Sequence, residues 1–96
     1  MIVANSKPLQ DGSGAIATGG TSQQVFAALA SRAYVLIQNI SDATLYVNFG
    51  APATIDGNSF KLLAGEWYEN PPNFCPNGTV TIIGATTGKK FVAKQG

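Results

Sequence analysis

The sequence predicts an all-β fold: a small antiparallel β-sandwich, jelly-roll-like or Greek key, of six or seven short strands behind a flexible N-terminal arm. Three observations predict it. At 96 residues the chain holds one core, since domains cluster at roughly 100–150 residues. From Gln23 onward, short runs rich in Val, Ile, Leu, Tyr, Phe and Thr are broken by turn residues every eight to twelve positions. No stretch carries an amphipathic helical stripe of ordinary length, and the one with helical composition, 25–31, is short and lacks a charged face.

Residues 1–22 contain four glycines and a run of Ser, Thr, Asn and Gln, with apolar side chains too scattered for a stripe of either period. This segment is expected to be an arm, laid loosely on a sandwich domain of residues 23–96, because it cannot bury enough apolar surface alone to offset its ordering entropy. Its apolar residues Ile2, Val3, Leu9 and Ile16 could anchor it to a neighbouring molecule, the alternative being a frayed terminus without a role.

The first strand is expected at 24–29 and the second at 33–40, where both alternating sets are apolar: Tyr34 and Leu36 on one side, Val35 and Ile37 on the other. Such a strand should be central and covered on both faces, by the opposing sheet and by a subunit. At 45–49, Leu45, Val47 and Phe49 alternate with Tyr46 and Asn48, which predicts one buried face. Asn39, Ser41 and Asp42 lie between these strands, and their side chains can bond local backbone groups, so the two are expected to pair as an antiparallel hairpin. Asp56-Gly57 supplies a further turn before a strand at 60–63. Ala64-Gly65 turns the chain into 66–69, which Pro71-Pro72 ends because proline offers no ladder donor. Strands at 79–84 and 89–94, with Thr86-Thr87-Gly88 between them, are expected as a final pair.

Composition narrows the function. Charged residues make up 11% of the chain against roughly 25% in an average soluble domain, so the surface is largely uncharged and suits a protein that spends its life docked against others. Six Lys and Arg against five acids give no basic field, so neither nucleic acid nor anionic membrane is an expected partner. Met1-Ile2-Val3-Ala4 has no basic leader region and no eighteen apolar residues run together, which predicts a chain made in the cytoplasm that stays soluble.

There is no histidine and a single cysteine, Cys75. An internal disulfide is therefore impossible, and the commonest metal ligand and neutral-pH proton carrier are missing. No metal and no cofactor are expected: Asp11, Asp42 and Asp56 are isolated turn acids, and the glycine-rich pieces lack the lysine of a phosphate loop. The only closely spaced acids, Glu66 and Glu69, flank Trp67-Tyr68, but a spacing of three on a strand puts them on opposite faces. They read as edge charges that discourage wrong strand pairing rather than as a catalytic couple. No enzyme is expected. The better functional candidates are the aromatics Tyr34, Tyr46, Trp67 and Tyr68, which supply contact area at interfaces as well as in cores. Trp67 and Tyr68 must face opposite ways, one to the core and one outward, and the outward one is the favoured interface residue.

The block Arg32-Ala33-Tyr34-Val35-Leu36-Ile37-Gln38-Asn39-Ile40-Ser41-Asp42, followed by Leu45-Tyr46-Val47-Asn48-Phe49-Gly50, resembles small virion proteins of tailed bacteriophages. In that group an Arg-led I-Q-N-x-S strand precedes an L-Y-V-x-F-G strand. Next comes a Leu-x-x-Gly turn into an aromatic-acid strand, here Leu62-Leu63-Ala64-Gly65-Glu66-Trp67-Tyr68-Glu69. The last element is a G-x-V-x-x-I-x-x-x-T-G hairpin, here spanning Gly78 to Gly88. The likeness covers residues 32–94. The arm lies outside it, and the chain ends on Val92-Ala93-Lys94-Gln95 where the group has an acidic strand. The resemblance implies a virion component: capsid decoration or cement, or a small fitting of neck, tail or fibre. Its implied partners are further copies of itself, in a homo-oligomer of unstated order, and other virion proteins such as the major capsid protein. A second reading, from the exposed aromatics alone, is a carbohydrate-binding module that stacks Trp67 or Tyr68 on sugar rings.

Overall fold

The computed structural model describes residues 8–96. Among them are nine short strands and no helix: β1 (Gln10–Asp11), β2 (Gly14–Ala15), β3 (Gln23–Phe26), β4 (Val35–Asn39), β5 (Leu45–Phe49), β6 (Phe60–Leu62), β7 (Trp67–Glu69), β8 (Val80–Gly84) and β9 (Lys90–Gln95). They form two antiparallel sheets packed face to face. Sheet I runs β1/β2, β9, β4, β7, and sheet II runs β3, β8, β5, β6.

Strands β1 and β2 pair with β9 in one continuous register, Gln10 opposite Gln95, Asp11 opposite Lys94, Gly14 opposite Phe91 and Ala15 opposite Lys90. They are one edge strand interrupted at Gly12 and Ser13. Counted so, the chain has eight strands that pair from the outside inward: first with last, β3 with β8, β4 with β7, β5 with β6. Nested pairs shared alternately between two sheets define a jelly roll.

This topology corrects two expected pairings. Strands β4 and β5 do not form a hairpin, and neither do β8 and β9, because the members of each couple lie in opposite sheets. The segments 40–44 and 85–89 are crossings between sheets. Alternation fixes which side chains of a strand are buried, but two consecutive strands with buried sets satisfy it equally well side by side or facing one another across the core. The core here is filled across that gap, Val35 and Ile37 of sheet I lying against Leu45, Val47, Val80 and Ile82 of sheet II, all fully buried. Each such side chain contributes about 1.5–3 kcal/mol relative to an exposed one.

Asn39, at the end of β4, holds the first crossing. It is fully buried; its Nδ2 donates to the carbonyls of Ala43 (2.6 Å) and Leu62 (2.9 Å), and its Oδ1 accepts from the amide and hydroxyl of Ser41. An Asn39→Asp variant replaces the donor with an oxygen aimed at two carbonyls, so burial and repulsion raise the folded-state pKa of the new carboxyl above its unfolded value of about 3.9. The destabilisation is therefore smallest below pH 4 and grows as pH rises, by up to about 1.4 kcal/mol per unit, until the folded-state pKa is passed. Urea unfolding of the variant between pH 3 and 7 checks this; a pH-independent difference from the parent chain contradicts it.

The described part of segment 1–22, read from the sequence as an arm, is built into the sandwich. Besides the pairing of β1 and β2 with β9, Ile16 is 1% exposed within the core. Gly84 makes room for it: a Cβ there would stand 2.6 Å from Leu45 Cδ2 and 3.2 Å from Ile16 Cγ1. Gln23 ties the crossing that follows, accepting from the Ala17 amide and donating to the Ala15 carbonyl.

The strand covered on both faces is β8 rather than the 33–40 strand: all five of its residues are buried. Its outward face lies under the loop 50–59, where Thr81 Oγ1 donates to the Ala51 carbonyl (2.8 Å) and Ala53 is buried.

Candidate interaction surface

The two long sides of the sandwich differ. On the β1/β2–β3 side the sheets are closed by the 16–22 crossing and by the Phe26 ring, which approaches so near that a Cβ on Gly12 would stand 2.5 Å from it. On the other side β6 and β7 are the last strands of their sheets, connected by the tight turn 63–66. That turn is locally determined. Glu66 N–H donates to the Leu63 carbonyl, Glu66 Oε1 accepts from the Leu63 amide (2.7 Å), and Gly65 takes φ +83°, a conformation a side chain rarely adopts.

Between these edges the rings of Phe49, Phe60 and Tyr68 pack at centroid separations of 4.8–5.7 Å. The gap beside them is a groove of about 400 Å³ lined by Phe60, Lys61, Leu62, Glu66, Trp67 and Tyr68. Trp67 also lines a shallower cleft on the outer face of sheet I with Leu36, Gln38 and Glu69. Seven large hydrophobic side chains are exposed among the described residues, and three of them, Phe60 (51%), Leu63 and Trp67 (61%), belong to this one side.

Trp67 and Tyr68 divide as their adjacency requires, Trp67 outward and Tyr68 half-buried against Phe49 and Phe60. Tyr34 is half-buried on the outer face of sheet I, where its hydroxyl donates to Glu69 Oε2 (2.7 Å), a bond that raises the phenol above its ordinary pKa. Tyr46 lies half-buried on the outer face of sheet II between Ile83 and Lys61, away from Trp67 and Tyr68. Leu9 is exposed just before β1. Ile16, expected to reach a neighbour, is instead in the core of its own chain. Ile2 and Val3 lie outside the described residues.

The acids have local structural duties. Asp11 pairs with Lys94 (3.1 Å) and accepts from Ser13, and the Ser13 bond above all lowers its pKa to about 2. Asp42 pairs with Lys89 (2.6 Å), and that bond lowers its pKa. Glu66 braces its turn and Glu69 receives Tyr34. Burial pushes the Cys75 thiol up, against the opposing pull of Arg32. Lys61, in the groove, forms no ion pair among the described residues.

Four members of this surface, Phe60, Lys61, Leu62 and Leu63, are not among the contact residues the sequence singles out. The available signal was the turn Ala64-Gly65, which makes 60–63 and 66–69 neighbours in sequence, but it does not reveal that both become sheet edges. Comparison of the chain with protein-family models, with curated proteins and with solved structures finds no match in any of the three.

Proposed function

We propose that this chain is a non-enzymatic structural protein of a phage virion, a capsid decoration or cement protein or another small particle component. It would work through contacts with copies of itself and with other particle proteins such as the major capsid protein. The observation that carries a contact role is a cluster of exposed apolar surface: Phe60, Leu63 and Trp67, three of the seven large hydrophobic side chains exposed among the described residues, gather on the β6/β7 side, where Phe60 and Trp67 line the groove. Contiguous exposed apolar surface with a polar rim is characteristic of interaction sites. The virion assignment rests on the sequence resemblance over residues 32–94, and jelly rolls are among the folds that build capsids.

The exposed indole of Trp67 favours one second reading, a carbohydrate-binding module that stacks sugar on that ring. The packed rings beside it, Phe49, Phe60 and Tyr68, are tilted or edge-on to one another rather than set in a flat row.

Solution mass by light scattering, over a concentration series from micromolar to millimolar, tests the first reading. A defined oligomer that dissociates on dilution is the expected result. A monomer throughout would falsify self-association, and titration calorimetry with oligosaccharides, showing heat that Trp67→Ala abolishes, would then establish the module.

A further inference from the structure

The geometry points to a specific partner for the open side: the same side of a second copy, related by a twofold axis, with Lys61 of each copy against Glu66 of the other. This rests on the self-association proposed above and names the surface that performs it.

A twofold contact uses one patch twice, so the patch must complement itself. The β6/β7 side does. Its apolar part contains both a protrusion and a recess: Trp67 stands 61% exposed beside a groove walled by Phe60, Leu62 and Tyr68. Its charged part contains both signs: Lys61 and Glu66 line the same groove without forming an ion pair with each other. Lys61 and Lys90 thus have no acidic partner among the described residues, while Lys89 and Lys94 each have one, and of the unpaired two it is Lys61 that shares a groove with a carboxylate, Glu66. A carboxylate brought by a second copy supplies that partner, and the symmetry supplies it twice. The acids also limit what can dock. Glu66 and Glu69 flank the exposed edge of β7, disfavouring arbitrary strand addition and favouring a surface that carries a cation at the right place. Over β8 the outer face of sheet II is occupied at Thr81 by loop 50–59.

The test is a charge exchange followed by analytical ultracentrifugation at low salt. Lys61→Glu alone places four carboxylates together in the twofold contact, and Glu66→Lys alone places four ammonium groups there. Each variant is expected to weaken self-association by at least about tenfold. Mixed in equal amounts, the two restore both ion pairs and should associate as a heterodimer near the parent affinity. Circular dichroism of each variant confirms that it is folded, and Trp67→Arg, at an exposed position, gives an independent break of the same contact. An oligomeric parent chain whose affinity is unchanged by all three variants overturns this interface and leaves the functional reading standing. So does a mixture no tighter than its components. A parent chain that stays monomeric at millimolar concentration overturns self-association and this interface together.

Discussion

A chain that begins at Gln23 is expected not to fold cooperatively. The deletion removes the whole edge strand of sheet I, β1 and β2, which pairs with β9 over four residues. It also removes the backbone bonds from Gly12 to Ala93, from Ile16 to Lys89 and from Gly20 to Gly84. Most of the loss comes from Ile16, which fills the core between Gly84, Leu45 and their neighbours. Truncating such a residue to alanine costs about 2–5 kcal/mol, and removing it along with its strand costs more. A small domain has roughly 5–15 kcal/mol in total, so little remains. The Ile16→Ala variant should show the graded version, about 3 kcal/mol by urea unfolding. Far-UV circular dichroism and NMR dispersion are the suitable probes, since Trp67 is too exposed to report on folding well. If the 23–96 chain unfolds with the same midpoint as the full chain, residues 8–22 contribute nothing to the sandwich and this account of its edge is wrong.

The second large effect belongs to Arg32. Its guanidinium is buried, the residue being 5% exposed, and it faces no carboxylate. Instead Nε donates to Gln95 Oε1 (2.7 Å), Nη1 to the carbonyls of Pro76 (2.8 Å) and Gly78 (2.9 Å), and Nη2 to that of Ala27 (2.9 Å). The Phe26 ring lies beneath it at 5.9 Å. Burial draws the group below its ordinary pKa, yet arginine keeps its proton and the carbonyl dipoles stabilise the charge. One side chain thereby joins the approach to β4, the approach to β8 and the end of β9, and Gln95 carries the link on to Gln10 (2.6 Å).

Bonds from a charged donor contribute about 1.5–3 kcal/mol each where their acceptors are shielded. Part of this set borders solvent, so Arg32→Met is expected to cost about 3–4 kcal/mol in total. The methionine keeps most of the packing and removes every donor, which separates hydrogen bonding from volume. Arg32→Lys keeps the charge but not the planar fork and should fall between Met and the parent. Equal stability of the Met variant and the parent chain, measured by denaturant midpoint, would show that the carbonyls are satisfied without the guanidinium.

Arg32 also illustrates the limit of reading the chain linearly. In the sequence it is only the residue ahead of an apolar strand, and its acceptors lie as far as 63 positions away. Ile16 poses the same difficulty. It sits alone among Gly, Ser and Thr, with no periodic neighbours, and its burial depends on the space left at Gly84 in a strand from the other end of the chain. The two crossings were misread as hairpins for a related reason: Asn39, Ser41 and Asp42 have turn chemistry in either case, and what decides is the reach of the Asn39 amide to Leu62 in the opposite sheet. The candidate surface was partly legible. The adjacency of Trp67 and Tyr68 required one to point outward, but the groove beside Trp67 needs Phe60, whose place at the end of sheet II follows only from the pairing of β6 with β5.

The β class, the single core, the positions of strands β4 to β9 to within two residues and the buried set of most of them are legible in the linear chain. These depend on a period of two and on turn residues, which are local properties of the chain. The tertiary structure alone decided which strands share a sheet, that residues 10–16 complete the sandwich, and that one long side stays open while the other is sealed. Those outcomes depend on which buried faces meet across the core and on where a distant glycine leaves space, and neither is encoded within any short window of residues.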